Sequence, residues 1–191
     1  MSKGRMEAFS DGVIAVIITI MVLEMKSPHG TSLAAMRPLI PVFLTYVLSF
    51  VNVGIYWNNH HHLLHATQRV NGVSLWANLH LLFWMSLVPF TTAWMGENHF
   101  TAWPVALYGI VLLLLGTAYF ILVKVLIAVP GQPPTLAHAI GSDLKTKASL
   151  AIYAASIPVA FDEPWISCVG YVVVAILWLI PDRRIERELA Q

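Results

Sequence analysis

The chain has 191 residues, of which 58% are hydrophobic and 11% charged, with a formal net charge of +1. Soluble domains carry about a quarter charged residues; a mean hydropathy of +0.71 instead makes this an integral membrane protein. The near-neutral balance supplies no basic stripe for nucleic acid, and a single cysteine, Cys168, excludes an intrachain disulfide or a cysteine metal cage.

Apolar runs of about 20 residues mark membrane spans, and six are predicted in chain order. The first covers about 7–25 and is closed by Glu24, Lys26, Ser27 and Pro28. Lys3 and Arg5 ahead of it resemble a signal peptide, but Glu7 and Asp11 interrupt that region and no small-x-small cleavage site follows Leu23. It is therefore read as a retained span. The second, about 38–58, opens on Pro38 and Pro41, which suit a first helical turn. It continues as helix through Asn58-Asn59-His60-His61-His62 to about Arg69. The third covers about 73–95, and the fourth about 102–128, opened by Pro104. A loop with Pro130, Gly131, Pro133 and Pro134 leads to a fifth, about 146–161, that is short and holds Ser149, Ser156 and Pro158. Asp162-Glu163-Pro164 turns into the sixth, about 165–181, which Pro181 closes.

The predicted fold is thus all-α, one six-helix transmembrane domain over residues 1–191. With the N-terminus inside, Lys3, Arg5, Arg69, Lys124, Lys145, Lys147, Arg183, Arg184 and Arg187 are cytoplasmic, and only Lys26 and Arg37 lie outside. That bias puts both termini in the cytoplasm. Asp143, Lys145 and the charged tail Asp182–Gln191 are read as solvated or in contact with anionic headgroups.

Function is sought in the first helix. Arg5, Phe9, Gly12, Val16, Thr19 and Leu23 alternate by four and three, so they form one stripe, with Ile20 beside it. Ser10 and Asp11 sit off the stripe, toward neighbouring helices. Two readings fit this pattern: a core helix with an N-terminal polar clamp, or a symmetric pore in which copies of the helix meet on an axis. In the second, Val16, Ile20 and Leu23 are hydrophobic constrictions that gate by dewetting, and Thr19 is a polar ring.

Arg5-x-x-x-Phe9-Ser10-Asp11-Gly12, running into an Ile/Val-rich helix with an internal Thr and a closing Leu-Glu, resembles the signature of the transmembrane protein 175 family, the endosomal/lysosomal potassium channels and their prokaryotic relatives. Tyr56-Trp57-Asn58-Asn59-His60-His61 is similar to the end of the family's second helix. Leu75-Trp76-Ala77-Asn78-Leu79 and Leu87-Val88-Pro89-Phe90-Thr91 are similar to its third. The resemblance covers the first half of the chain; later spans agree in number and polarity. It implies a homotetrameric, potassium-preferring cation channel of the bacterial plasma membrane, with the first helix lining the pore and no carbonyl-lined filter. By the motif, the constriction falls on Val16, Thr19, Ile20 and Leu23, with potassium held transiently near Thr19; Val16 is smaller than the Ile or Leu expected there. Arg5, Phe9, Ser10 and Asp11 would form a cytoplasmic-side clamp reaching Asn58, His61, Trp76, Asn78 or His80.

Val169-Gly170-Tyr171 resembles a potassium-filter core, but Cys168 and Val172 replace the flanking Thr and Gly and the run lies mid-span. His60, His61, His62 and His65 form a candidate metal cluster, in which His61 and His65 are four apart, as a two-histidine metal site requires; no acid or Cys lies near them in sequence, and hydrogen bonding to the Asp11 element is the reading adopted. The tryptophans fall mostly at span ends, as an interfacial belt does, and Gly109 and Gly116 suit close helix approach. No enzyme motif, cofactor or structural metal is expected; the partners are a second copy, lipid and the permeant potassium ion. The alternative is a secondary transporter or proton-conducting protein using the Asp11/His cluster.

Overall fold

The computed structural model describes residues 2–133 and 144–179. Pro134, Asp143, Pro181 and the tail with Arg183, Arg184 and Arg187 lie outside the described residues. Those described form helices joined by turns and loops, without strands: α1 (Lys3–Leu23), a 310 helix (Leu33–Leu39), α2 (Ile40–Ala66), α3 (Gly72–Ser86), α4 (Val88–Glu97), α5 (Ala102–Ile127), α6 (Leu144–Val159) and α7 (Pro164–Leu179).

The differences from the sequence expectation have local causes. The second span is α-helical only from Ile40, because Pro38 sits in a 310 turn; Pro41 then occupies the first α-turn. The helix ends at Ala66, since Thr67 is extended. At about 1.5 Å per residue its 27 residues outrun the hydrocarbon core of about 30 Å, so the Asn58–His65 end reaches the interface or beyond. The third span is two helices that break at Leu87. Pro89, in the first turn of α4, has no N–H to donate back to the α3 ladder. Asn71 caps α3, accepting from the Ser74 N–H at 2.9 Å while its own N–H reaches the Ser74 hydroxyl.

α1, α2, α3–α4 joined across the kink, and α5 are long and apolar enough to cross a membrane. α6 and α7 have 16 described residues each, about 24 Å, short of a full crossing. They form a tight hairpin. Gly170 of α7 lies so close to α6 that a β-carbon there would stand 2.5 Å from the Ser156 hydroxyl, and the Ser167 hydroxyl donates to the Ser156 carbonyl at 2.7 Å. Val169-Gly170-Tyr171 is therefore ordinary packed helix: Tyr171 is buried and donates to the Val105 carbonyl at 3.0 Å.

α5 is the central rod, packed on α3, α4, α6 and α7. One apolar core joins its C-terminal half to α1, α2 and α3; a second joins its N-terminal half to α6 and α7. Gly116 faces Leu150 and Gly109 faces Ile157, so α5 and α6 run antiparallel. Lys3, which donates to the Thr67 carbonyl at 2.9 Å, thus shares one end of the bundle with Arg69, Lys124 and Lys145. Lys26 is at the other end, 3.7 Å from Glu97.

Candidate functional site

α1 is buried on one side only. Met6, Ser10, Ile14, Ile17 and Met21, spaced four, four, three and four, face α2, α3 and α4. The opposite stripe is exposed: Phe9 54%, Val16 54%, Ile20 40% and Leu23 78%, with Arg5, Gly12 and Thr19 also exposed. Among the described residues, nothing beyond the local turn of α1 lies within 4 Å of a β-carbon added to Gly12. Beside the stripe, α1 and α4 border an open groove of about 730 Å³ lined by Phe9, Gly12, Val16, Ile20, Pro89 and Phe90. A contiguous apolar face of this size on a membrane helix is covered either by lipid or by another protein surface.

The Thr19 hydroxyl donates to the Val16 carbonyl one turn back, at 2.9 Å. Its hydrogen is thereby directed into the helix, and its lone pairs remain free for an electropositive partner.

The polar residues of α1 meet α2 and α3 as an antiparallel ladder. Lys3 reaches Thr67, Glu7 lies 3.6 Å from His61 Nδ1, and the Asp11 carboxylate accepts from the Trp57 indole N–H at 3.1 Å. Alongside runs a fully buried chain. Ser10 donates to the Met6 carbonyl at 2.8 Å and accepts from the Asn78 amide nitrogen at 2.9 Å. The Asn78 amide oxygen lies 2.8 Å from His60 Nε2. Because the Asn78 nitrogen is spent on Ser10, its oxygen must accept, which assigns the Nε2–H tautomer to His60.

Among the residues named from sequence, the structure brings Ser10 to Asn78 and Asp11 to Trp57. His61 stands beside Glu7 instead and stacks with Trp57 and His65. Arg5 and Phe9 are exposed on the stripe, Asn58 and Trp76 are also exposed, and His80 accepts from Trp84 on its own helix at 2.9 Å. No group of three potential metal ligands exists among the described residues. Trp57 was not singled out as a partner of α1 by sequence, nor were Lys3 and Glu7 as the α1 groups that meet the end of α2; His60 was read only as one of a histidine cluster. One signal was available for His60: it lies seven residues after buried Val53, on the face that also carries Ser49 and Asn52, whereas His61 does not.

The family model described as endosomal/lysosomal potassium channel TMEM175 matches residues 5–89, from the first turn of α1 to the first turn of α4. A potassium channel of Chryseobacterium sp. (strain P1-3) is 53% identical over 191 residues, the full length of both chains. The chain belongs to the TMEM175 family. A crystal structure of a lysosomal potassium-selective channel TMEM175 homologue from Chamaesiphon minutus superposes with a TM-score of 0.81 at 27% identity, over 93% of this chain and 96% of that one. The endosomal/lysosomal proton channel TMEM175 of Homo sapiens is 35% identical over 96 residues, 44% of this chain and 19% of the human protein. Membership makes this an integral, multi-pass membrane protein of an ion-channel family, not an enzyme. The likeness runs past the kink at Leu87, because the Chryseobacterium potassium channel matches through α5, α6 and α7.

Proposed function

We propose that this protein is a potassium-preferring cation channel of the bacterial plasma membrane, a homotetramer with both termini cytoplasmic and α1 of each subunit lining a central pore. The observation that carries this reading is the one-sided burial of α1. Its packed face meets α2, α3 and α4, while the stripe through Val16, Thr19, Ile20 and Leu23 is exposed among the described residues. The Chryseobacterium and Chamaesiphon relatives, named a potassium channel and a potassium-selective channel homologue, favour potassium as the ion.

Ion passage in this arrangement needs no cofactor. Rings of Val16, Ile20 and Leu23 form apolar constrictions that conduct when wide enough to stay wet and close by dewetting. Between them the Thr19 ring turns hydroxyl lone pairs to the axis, since each hydroxyl hydrogen is held by the Val16 carbonyl. Those lone pairs provide a weak, transient potassium site. The Lys3, Glu7, Ser10 and Asp11 contacts fix the rotation of α1, so that the apolar stripe and not the carboxylates faces the axis.

The test is flux from liposomes down a potassium gradient, with wild type and with Val16→Ala, Ile20→Ala and Leu23→Ala. Wild type is expected to conduct at channel rates, and Leu23→Ala to raise conductance and reduce the preference for potassium over sodium. If all three variants match wild type in current and ion preference, α1 does not line the path.

Vertebrate relatives carry the name proton channel, which supports a second reading, proton conduction through the Asp11/His60 end of the bundle. A reversal potential that follows an imposed pH gradient at fixed potassium would favour it over the first.

A further inference from the structure

A second polar feature lies away from α1. α2, α5, α6 and α7 surround a cavity of about 30 Å³, and no residue of α1 lines it. Its wall includes Asn52, Tyr56, Asn59, Ser149, Tyr153 and Trp178. Some of these groups are satisfied by protein: the Trp178 indole N–H donates to the Ser149 hydroxyl at 2.9 Å, and Ser149 donates to the Lys145 carbonyl. Others are not. Tyr153 is only 3% exposed, yet its hydroxyl makes no hydrogen bond among the described residues. Every fully enclosed side-chain nitrogen or oxygen among the described residues has a partner, so this hydroxyl is not fully enclosed, and Tyr153 is one of the residues that line the cavity. The Tyr56 hydroxyl, which stands next to Gly116 in the lining, is likewise without a partner. Asn52 spends its amide nitrogen on Tyr108 at 3.4 Å, and Asn59 spends its own on the Ile55 carbonyl at 2.8 Å. Both keep a carbonyl oxygen for a further donor.

An internal space holds water when it offers about 10–15 Å³ per molecule and two to four polar partners. This one meets both conditions for about two waters. It is too small for an organic ligand. Leaving buried hydroxyls and amides unmet carries a desolvation penalty that water removes.

We propose that the cavity between α2, α5, α6 and α7 is an internal hydration site, holding about two water molecules on the Tyr153 and Tyr56 hydroxyls and the Asn52 and Asn59 amide oxygens. The waters extend a buried chain that already runs from Thr92 through Ser49, with contacts of 2.6 Å to Thr92 and 3.0 Å to Tyr108, and on to Asn52. They bridge the α6–α7 hairpin to α2 and α5, as ordered waters do between protein polar groups. This site is separate from the α1 stripe and does not depend on the ion-path reading.

Radiolytic hydroxyl-radical footprinting of the full-length protein tests the proposal, because radicals formed from a trapped water attack the side chains that hold it. Tyr108 and Tyr171 are also buried, at 0% against 3% exposed for Tyr153, but their hydroxyls are bonded to Ser49 and to the Val105 carbonyl. Tyr153 is expected to be oxidised several-fold faster than either. Tyr153→Phe, which keeps the ring and removes the anchoring oxygen, is expected to lower oxidation of Tyr56 and Trp178 several-fold. Equal rates at Tyr153, Tyr108 and Tyr171, or labelling of Tyr56 and Trp178 unchanged by Tyr153→Phe, would overturn it.

Discussion

Asn78 is the residue on which the seating of α1 depends. Its two amide ends answer two different elements, Ser10 on α1 and His60 on α2, and all three side chains are buried. Replacing it with Leu removes both contacts and strands the His60 N–H, while Ser10 keeps its bond to Met6. A buried group left unmet costs about 1–3 kcal/mol, so Asn78→Leu is expected to lower stability by that order in detergent unfolding. The double variant Asn78→Leu/His60→Leu should recover part of the loss, since no unmet donor remains. If Asn78→Leu unfolds like wild type, the chain does not hold α1. Sequence placed Asn78 near Ser10 through a family resemblance, but chose His61 over His60. Two adjacent histidines on a helix point about 100° apart, and only the packing of α2 on α3 reveals which one is inside.

Helix packing separates the glycines, which look alike in the sequence. A β-carbon at Gly109 of α5 would collide with the Tyr171 hydroxyl and stand 2.9 Å from its ring carbon, with Ile157 at 3.2 Å. A β-carbon at Gly12 of α1 would meet nothing within 4 Å. Overpacking costs typically about 1–3 kcal/mol, whereas Gly→Ala in an open helix gains about 0.5–1 kcal/mol. Gly109→Ala should therefore destabilise the protein and Gly12→Ala stabilise the isolated subunit, both read from thermal unfolding of detergent-solubilised protein. Opposite signs would show that the α5–α7 contact is not tight or that α1 is packed where it looks open. The kink at Leu87 belongs to this scale too. Pro89 is visible in the sequence, but the apolar run continues unbroken across it, so hydropathy reads one span where the backbone makes two helices.

For the whole molecule, one face of α1 is left uncovered by the subunit, and assembly is the open quantity. In a Cys168→Ala background, Leu23→Cys puts one thiol per subunit at the end of the exposed stripe. If four stripes converge on an axis, mild oxidation should give disulfide-linked dimers on a denaturing gel, since bridged α-carbons must come within about 7 Å. Met21→Cys, on the buried face at 2% exposure, should give none. Dimers from Met21→Cys, or none from Leu23→Cys, would mean that α1 faces lipid or a different neighbour.

Composition alone determined that this is a membrane protein, because burial of so many apolar side chains without charges is stable only in lipid. Run length and proline positions determined most of the spans, and the alternation by fours and threes determined which face of α1 is apolar. Those are local properties, written in the order of the residues. The tertiary structure decided what each polar group touches: Asp11 with Trp57, Ser10 with Asn78 and His60, and Glu7 with His61. It also decided that the stripe is exposed and that α2, α5, α6 and α7 together line a small cavity with Asn52, Asn59 and Tyr153 in its wall. Each of these depends on the rotation of one helix against another, which is set by the summed packing of the whole bundle and leaves no mark on any single segment.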